Sequence, residues 1–160
     1  MYHSIVRNVL RKSFDQLNRG NHSAVVAQFA QDAEHWFSGT HALAGRRTGI
    51  DQITAWHERL SAVLPDLQVR ITDITVTGLP HRTVAMAEWV DHFTTPAGDT
   101  WSNRGVHVIR LRWGKITAMH IHCDPTVLDA ALAEIADQGR AEAAAAPIGT
   151  LDLPSGLRRA

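Results

Sequence analysis

Apolar residues recur at helical spacing at the start of the chain, at Ile5, Val6, Val9, Leu10, Phe14 and Leu17, which predicts an amphipathic helix. The run Asn18-Arg19-Gly20-Asn21 stops it, and Asn21 or Ser23 can cap a second, short helix reaching Ala30. Residues 32–37 read as a brief strand. Residues 38–47, interrupted by Gly39, Ala44 and Gly45, read as a loop. Thr48-Gly49-Ile50-Asp51 has the form of a capping box with Asp in place of Glu. It opens a helix carrying Ile53, Trp56, His57, Leu60 and Leu64, ended by Pro65.

From Leu67 the period changes to two. Val69 and Ile71, then after a phase slip Ile74 and Val76, predict a strand ending at Gly78. Residues 84–93 form a second strand, closed by the hairpin signal Pro96-Ala97-Gly98-Asp99. Strands over 101–113 and 116–123 follow, joined by the tight turn Trp113-Gly114-Lys115. Asp124-Pro125-Thr126 starts a last helix with Val127, Leu128, Leu132 and Ile135 on one side, which 141–146 can extend weakly. Pro147, Gly149, Pro154 and Gly156 make 147–160 a flexible tail, so 1–146 is the expected single domain. The fold class that follows is α+β: a cone-shaped, curved antiparallel sheet wrapped by three N-terminal helices, with a C-terminal helix. Such a cone closes at one end and leaves an apolar pocket at the other.

Sixteen Lys and Arg balance sixteen Asp and Glu, so no basic excess points to nucleic acid. Cys123 is the single cysteine, which excludes an internal disulfide and suits a reducing compartment. No apolar run reaches membrane-span length, and the first ten residues lack the form of a secretory signal. The expectation is a cytoplasmic protein with no membrane and no nucleic-acid partner.

Candidate chemistry gathers on the last strands. Alternate strand residues share a face, so Asn103 and His107 lie together with Gly105 between them. On the next strand His120, His122 and Asp124 share a face, and Met119, Ile121 and Cys123 take the other. An amide, imidazoles and a carboxylate make a poor core and a plausible pocket lining. Asp124 suits a carboxylate inside the pocket mouth, or equally an N-cap of the last helix. His107 suits a proton shuttle, or a buried neutral imidazole. Asn103 suits an oxyanion-type donor or a structural amide. Asp91 shares a face with Trp89, and two carboxylates in one pocket would split into an acid and a base. His120 and His122 with His107 and Asp124 also have metal-ligand character, but no metal is expected. His57 lies on the apolar face of its helix, where a histidine is either a satisfied core group or part of a pocket wall. His35 is ambiguous in the same way. Trp36, Trp56 and Trp89 read as core or pocket aromatics. Arg104 and Arg110, with Val106 and Val108, fall on the opposite face, which suits a subunit interface.

Several stretches resemble the SnoaL-like branch of the nuclear transport factor 2/ketosteroid isomerase-like superfamily. They are Asp32-Ala33-Glu34-His35-Trp36, Leu43-Ala44-Gly45-Arg46-Arg47-Thr48-Gly49, Leu64-Pro65-Asp66-Leu67, and Gly114-Lys115-Ile116 with Asp124 closing the final strand. The resemblance runs over residues 4–135 and implies the cone fold. It also implies acid/base chemistry on a small hydrophobic molecule, without a cofactor, in a homodimer. Relatives include isomerases, polyketide cyclases, dehydratases, limonene epoxide hydrolases and proteins without activity. The epoxide hydrolases use an Asp-Arg-Asp trio; Asp91 and Asp124 match its carboxylates, but Trp89 stands where the arginine belongs. Cyclases pair a strand histidine with the final aspartate, which His107 and Asp124 match. The expected catalytic set is therefore Asp124, His107 and Asp91. Asn103, His122, His120, Trp89, Trp36, Trp56 and His57 are the expected substrate contacts.

Overall fold

Helix α1 (Tyr2–Asn18) sits against the sheet because its apolar stripe buries Val6, Leu10 and Phe14. The computed structural model describes residues 1–156 of the chain. Polar side chains fix the docking of α1: Arg7 Nε donates to the Ile74 carbonyl at 3.2 Å, and the Asn18 amide both donates to and accepts from the Val69 backbone. Asn21 caps α2 (His22–Val26) by accepting from the Ala24 N–H. Strand β1 (Phe29–Phe37), strand β2 (Gly45–Thr48) and helix α3 (Ile50–Val63) follow. The meander comes next: β3 (Gln68–Leu79), β4 (Arg82–Thr94), β5 (Thr100–Arg112) and β6 (Lys115–Cys123). Helix α4 (Pro125–Asp137) and a 3₁₀ turn (Ala141–Ala144) complete the elements.

The six strands form one curved sheet in the order β2-β1-β6-β5-β4-β3. The meander and the α+β layering agree with the sequence pattern, and the phase slip in β3 is a bulge between Ile71 and Asp73. Two details differ. Strand β1 pairs with β6 in parallel, making the sheet mixed, because the long excursion between them lets β1 enter from either direction. Within the expected loop, Gly45–Thr48 forms β2 on the edge, a strand too short to show a period. The capping box also does not form: Gly49 N-caps α3 without a side-chain bond, and Gln52 Oε1 accepts from the Thr48 N–H at 2.9 Å.

The core lies between the concave face of the sheet and the helices, with Leu10, Ile53, Val63, Ala85, Ala87, Ile109 and Ile135 almost fully buried. The β5–β6 turn places both Trp113 (φ +53°) and Gly114 (φ +80°) in the left-handed region, as a tight hairpin matched to strand twist requires. Between residues 147 and 156 the backbone does not stand free. Thr150 bridges to Arg46, the Trp36 indole donates to the Asp152 carbonyl at 3.2 Å, and Ser155 donates to the Glu34 carboxylate. The expected flexible tail is thus seated on β1 and β2 as far as it is described; residues 157–160 of that expectation lie outside the described residues. No helix among the described residues is long and apolar enough to cross a membrane.

Candidate active site

Strand register decides which side chains meet. Cross-strand partners share a face, and the pairs Asp91↔Asn103, Trp89↔Gly105↔Cys123 and His107↔Ile121↔Phe37 run across the concave side. One row deeper, Ala85, Ile109, Met119 and His35 are aligned. All of these except Ala85 and Gly105, with Phe14 on α1, Trp56 and His57 on α3 and Leu128 on α4, line one cavity. Its free volume is about 70 Å³, a narrow space lined almost wholly by apolar side chains.

The same register divides the expected site. Because His107 faces Ile121, the neighbours of Ile121, His120 and His122, point to the convex side. His120 is buried there and bonds Glu34 Oε1 at 2.8 Å, while His122 is exposed. Trp36 pairs with His120, and its ring lies against both histidines at 6.2 and 5.0 Å, so it too leaves the cavity. Asp124 is an exposed N-cap: its Oδ1 accepts from the Thr126 N–H at 3.0 Å and the Thr126 hydroxyl at 2.6 Å. Those two bonds hold its carboxyl below the usual range. Of the expected residues, Asp91, His107, Asn103, Trp89, Trp56 and His57 come together in the cavity. Cys123 joins them from the face expected to be outside, its thiol pushed up to about 12 by burial and then by the Asp91 charge.

Asp91 sits at the mouth. Burial raises its carboxyl to about 6, against a hydrogen bond from the Asn103 N–H to Oδ1 at 2.7 Å. Asn103 is largely committed to the backbone, with Nδ2 donating to the Asp124 carbonyl at 2.9 Å and Oδ1 accepting from the Arg104 N–H. It anchors the strand ends more than it offers a donor to a ligand.

His107 lies deeper. The Trp89 indole donates to its Nδ1 at 2.6 Å, and Phe14 packs edge-on against the ring at 5.2 Å. Burial, then the nearby His122, push its pKa down to about 3, so the ring is neutral and its proton resides on Nε2. The residue at the position of the epoxide-hydrolase arginine is thus a hydrogen-bond donor to an imidazole. Gly105 makes this geometry possible: a Cβ there would collide with the His122 carbonyl oxygen and lie 2.6 Å from the Trp89 ring.

His35 also faces the cavity, fully buried, with its ring 4.4 Å from that of Trp56. The alternation Ala33, His35, Phe37 against Glu34 and Trp36 marks this face. His22, beside His57, has no such signal in the chain because it belongs to a helix of only five residues. Among the described residues no group of three or more His, Cys, Asp or Glu is placed to hold a metal ion.

The chain is similar to known proteins in both sequence pattern and fold. A family model for the SnoaL-like domain matches residues 10–119. No curated protein matches the chain. Among solved structures, a nuclear transport factor 2-like protein of unknown function from Burkholderia pseudomallei K96243 superposes with a TM-score of 0.70 at 18% identity, covering 78% of this chain and 95% of that one. A Bacillus subtilis protein provisionally named an isomerase gives 0.67 at 18% identity over 79% and 91%. A Xanthomonas campestris pv. campestris protein provisionally named a polyketide cyclase gives 0.53 at 19% identity over 72% and 87%. With the family model spanning most of the folded domain, the chain belongs to the SnoaL-like family, and its fold is the one seen in the nuclear transport factor 2-like protein above.

Proposed function

We propose that the protein is a cofactor-free acid/base enzyme acting on a small hydrophobic carbonyl compound, of the isomerase or cyclase type. The observation that carries this reading is a carboxylate raised to about 6 in a largely apolar cavity that also presents a neutral His107, whose Nδ1 is taken by Trp89 and whose Nε2 has no hydrogen bond among the described residues. A base with a pKa near the working pH is largely ionised yet strong enough to take a carbon-bound proton. Asp91 removes a proton from a carbon conjugated to the carbonyl, and the electron pair moves onto the carbonyl oxygen. The resulting enolate oxygen accepts a hydrogen bond from His107 Nε2–H, which is preorganised by Trp89. Asp91 then returns the proton to a different carbon, or the enolate carbon attacks a second carbonyl and the alkoxide so formed takes the proton back from Asp91.

Epoxide hydrolysis has less support, since Trp89 replaces the arginine and Asp124 lies outside the cavity. A scaffold role without turnover has less support because Asp91 and His107 line the same cavity.

Deuterium exchange tests the proposal. A steroid enone incubated with the protein in D2O should gain deuterium at its conjugated carbons faster than in buffer. The rate should rise with pH through about 6, following the Asp91 carboxyl, and Asp91→Asn should remove the acceleration. Exchange at the buffer rate, or undiminished exchange in Asp91→Asn, ends the reading.

A further inference from the structure

The closed end of the cavity contains three imidazoles, of which the chemistry above uses only His107. The other two, His35 and His57, are 0% and 4% exposed. Both ring nitrogens of His35, and Nε2 of His57, are buried without a hydrogen-bond partner among the described residues, although both residues line the cavity. Three unsatisfied nitrogens in one spot are costly, and replacing both rings by apolar groups would remove the cost. Their placement makes sense if a ligand supplies the missing partner.

Two further features describe that partner. His57 Nδ1 lies 3.2 Å from Nδ1 of the half-buried His22, so one ring donates to the other. The pair connects the cavity lining to a side chain that is partly open to solvent. Behind the floor, the Arg47 guanidinium stacks on Trp56 at 5.3 Å and is 1% exposed. Its nitrogens donate to the carbonyls of Leu43, Ala44 and Gly45, and it has no carboxylate partner among the described residues. A buried, uncompensated cation makes its surroundings favour electron-rich groups. That charge stands beside His35 and His57, whose protonated forms it disfavours together with burial, the larger cause.

We infer that His35 and His57 form a polar floor that holds a hydroxyl oxygen of the ligand, and that His57 exchanges that hydroxyl's proton with solvent through His22. The ligand class is an apolar ring compound bearing an enol or phenol hydroxyl at the end remote from Asp91. In the exchange step, the hydroxyl proton passes to His57 Nε2 while the proton on His57 Nδ1 passes to His22 Nδ1. The proton on His22 Nε2 leaves to water, and the negative charge stays on the ligand oxygen facing the Arg47 side. No oxidant, reductant or co-reactant enters. The inference deepens the acid/base reading and rests on it for the identity of the cavity as the ligand site.

The test uses β-naphthol and naphthalene as probes, read by fluorescence. A purely apolar cavity prefers naphthalene, because burying an unpaired hydroxyl costs free energy. A polar floor reverses that order, with β-naphthol binding about tenfold tighter, the size of one good hydrogen bond. β-Naphthol is also a photoacid, so an imidazole acceptor converts its neutral emission to that of the naphtholate. In the wild type we expect both the preference and naphtholate emission. His57→Phe should abolish both. His57→Gln, which keeps a hydrogen-bonding floor but cannot relay a proton, should retain the preference and lose the emission. His22→Phe, at a half-buried site, should weaken the emission with little effect on the preference.

Asp91→Asn separates this inference from the acid/base reading. It should leave naphthol binding and emission intact while abolishing enone exchange. A hydroxyl preference that survives His57→Phe but disappears in Asp91→Asn would place the hydroxyl at the mouth and overturn the floor, leaving the acid/base reading standing. Tighter binding of naphthalene by the wild type would overturn the floor as well. Failure of both probes to bind would overturn the floor and the ligand cavity together.

Discussion

Trp89 donates its indole N–H to Nδ1 of His107 across neighbouring strands at 2.6 Å, and this single bond determines which nitrogen of the imidazole meets a ligand. A neutral histidine carries one proton; with Nδ1 accepting, that proton is on Nε2. The indole thus converts an ambivalent ring into a directed donor.

Trp89→Phe should release that constraint. The substitution keeps most of the aromatic packing against Gly105 but removes a buried hydrogen bond, at a cost of about 1 kcal/mol. We expect enone exchange to fall about tenfold, the size of losing one well-aimed donor in part of the population. Nitrogen-15 spectra of the His107 ring check the cause directly: a mixed tautomer in Trp89→Phe and a single Nε2–H tautomer in the wild type.

Asp91 should leave a signature in stability. Its carboxyl is raised to about 6 in the folded protein, whereas an unfolded aspartate titrates near 3.9. Between those values the folded state binds more protons than the unfolded state, so this group's contribution declines as pH rises from about 4 to about 6 and is constant above. Asp91→Asn removes the decline and should stabilise the protein at pH 7 by on the order of 2 kcal/mol. The difference between wild-type and Asp91→Asn unfolding curves, measured from pH 4 to 8, isolates this term from carboxylates with lowered values such as Glu34 and Asp66. A difference that does not vary over that interval contradicts it.

Gly105→Ala should be among the most damaging small changes in the chain. Its added methyl would meet the backbone carbonyl oxygen of His122, which cannot move without breaking the β5–β6 pairing, and the Trp89 ring as well. Overpacking against backbone costs about 3 kcal/mol or more. A denaturant midpoint close to wild type would show that the two strands can separate locally.

Asp124 separates capping from catalysis. Asp124→Ala removes the acceptor for the Thr126 N–H and hydroxyl and should lower the melting temperature by a few degrees while leaving probe binding in the cavity unchanged. Asp124→Asn, which still caps, should recover most of the loss. Abolished enone exchange in a fully stable Asp124→Asn protein would instead give this residue a direct part in the chemistry.

The tail shows how much local composition can mislead. Pro147, Gly149 and Pro154 suit a free segment, and they equally suit an extended strap. Here Pro154 is buried and Ser155 reaches Glu34, which is also bonded by Arg46 and His120. Nothing local in 147–156 announces Glu34, Trp36 and Arg46 as its partners, all more than a hundred residues earlier in the chain.

Periodicity by itself determined the three longer helices, the meander, the bulge in β3 and the grouping of residues within each strand, because side-chain direction depends only on backbone geometry; the capped second helix, expected to reach Ala30, ends at Val26 and gives way to β1 at Phe29. It placed Asn103 with His107, and Asp91 with Trp89, correctly on shared faces. It equally separated His120, His122 and Asp124 from Ile121 and Cys123. What it could not determine was which of those two sets joins His107, since a shift of one residue in pairing exchanges the faces. The tertiary structure decided that through the register His107↔Ile121 and the burial of Met119 and Ile121 beneath the helices. Apolar side chains gain most from the concave side, so two histidines and the last aspartate went to the convex side and the helix cap. His22, His57 and His35, distant in sequence, came together only because α2, α3 and β1 pack around one floor.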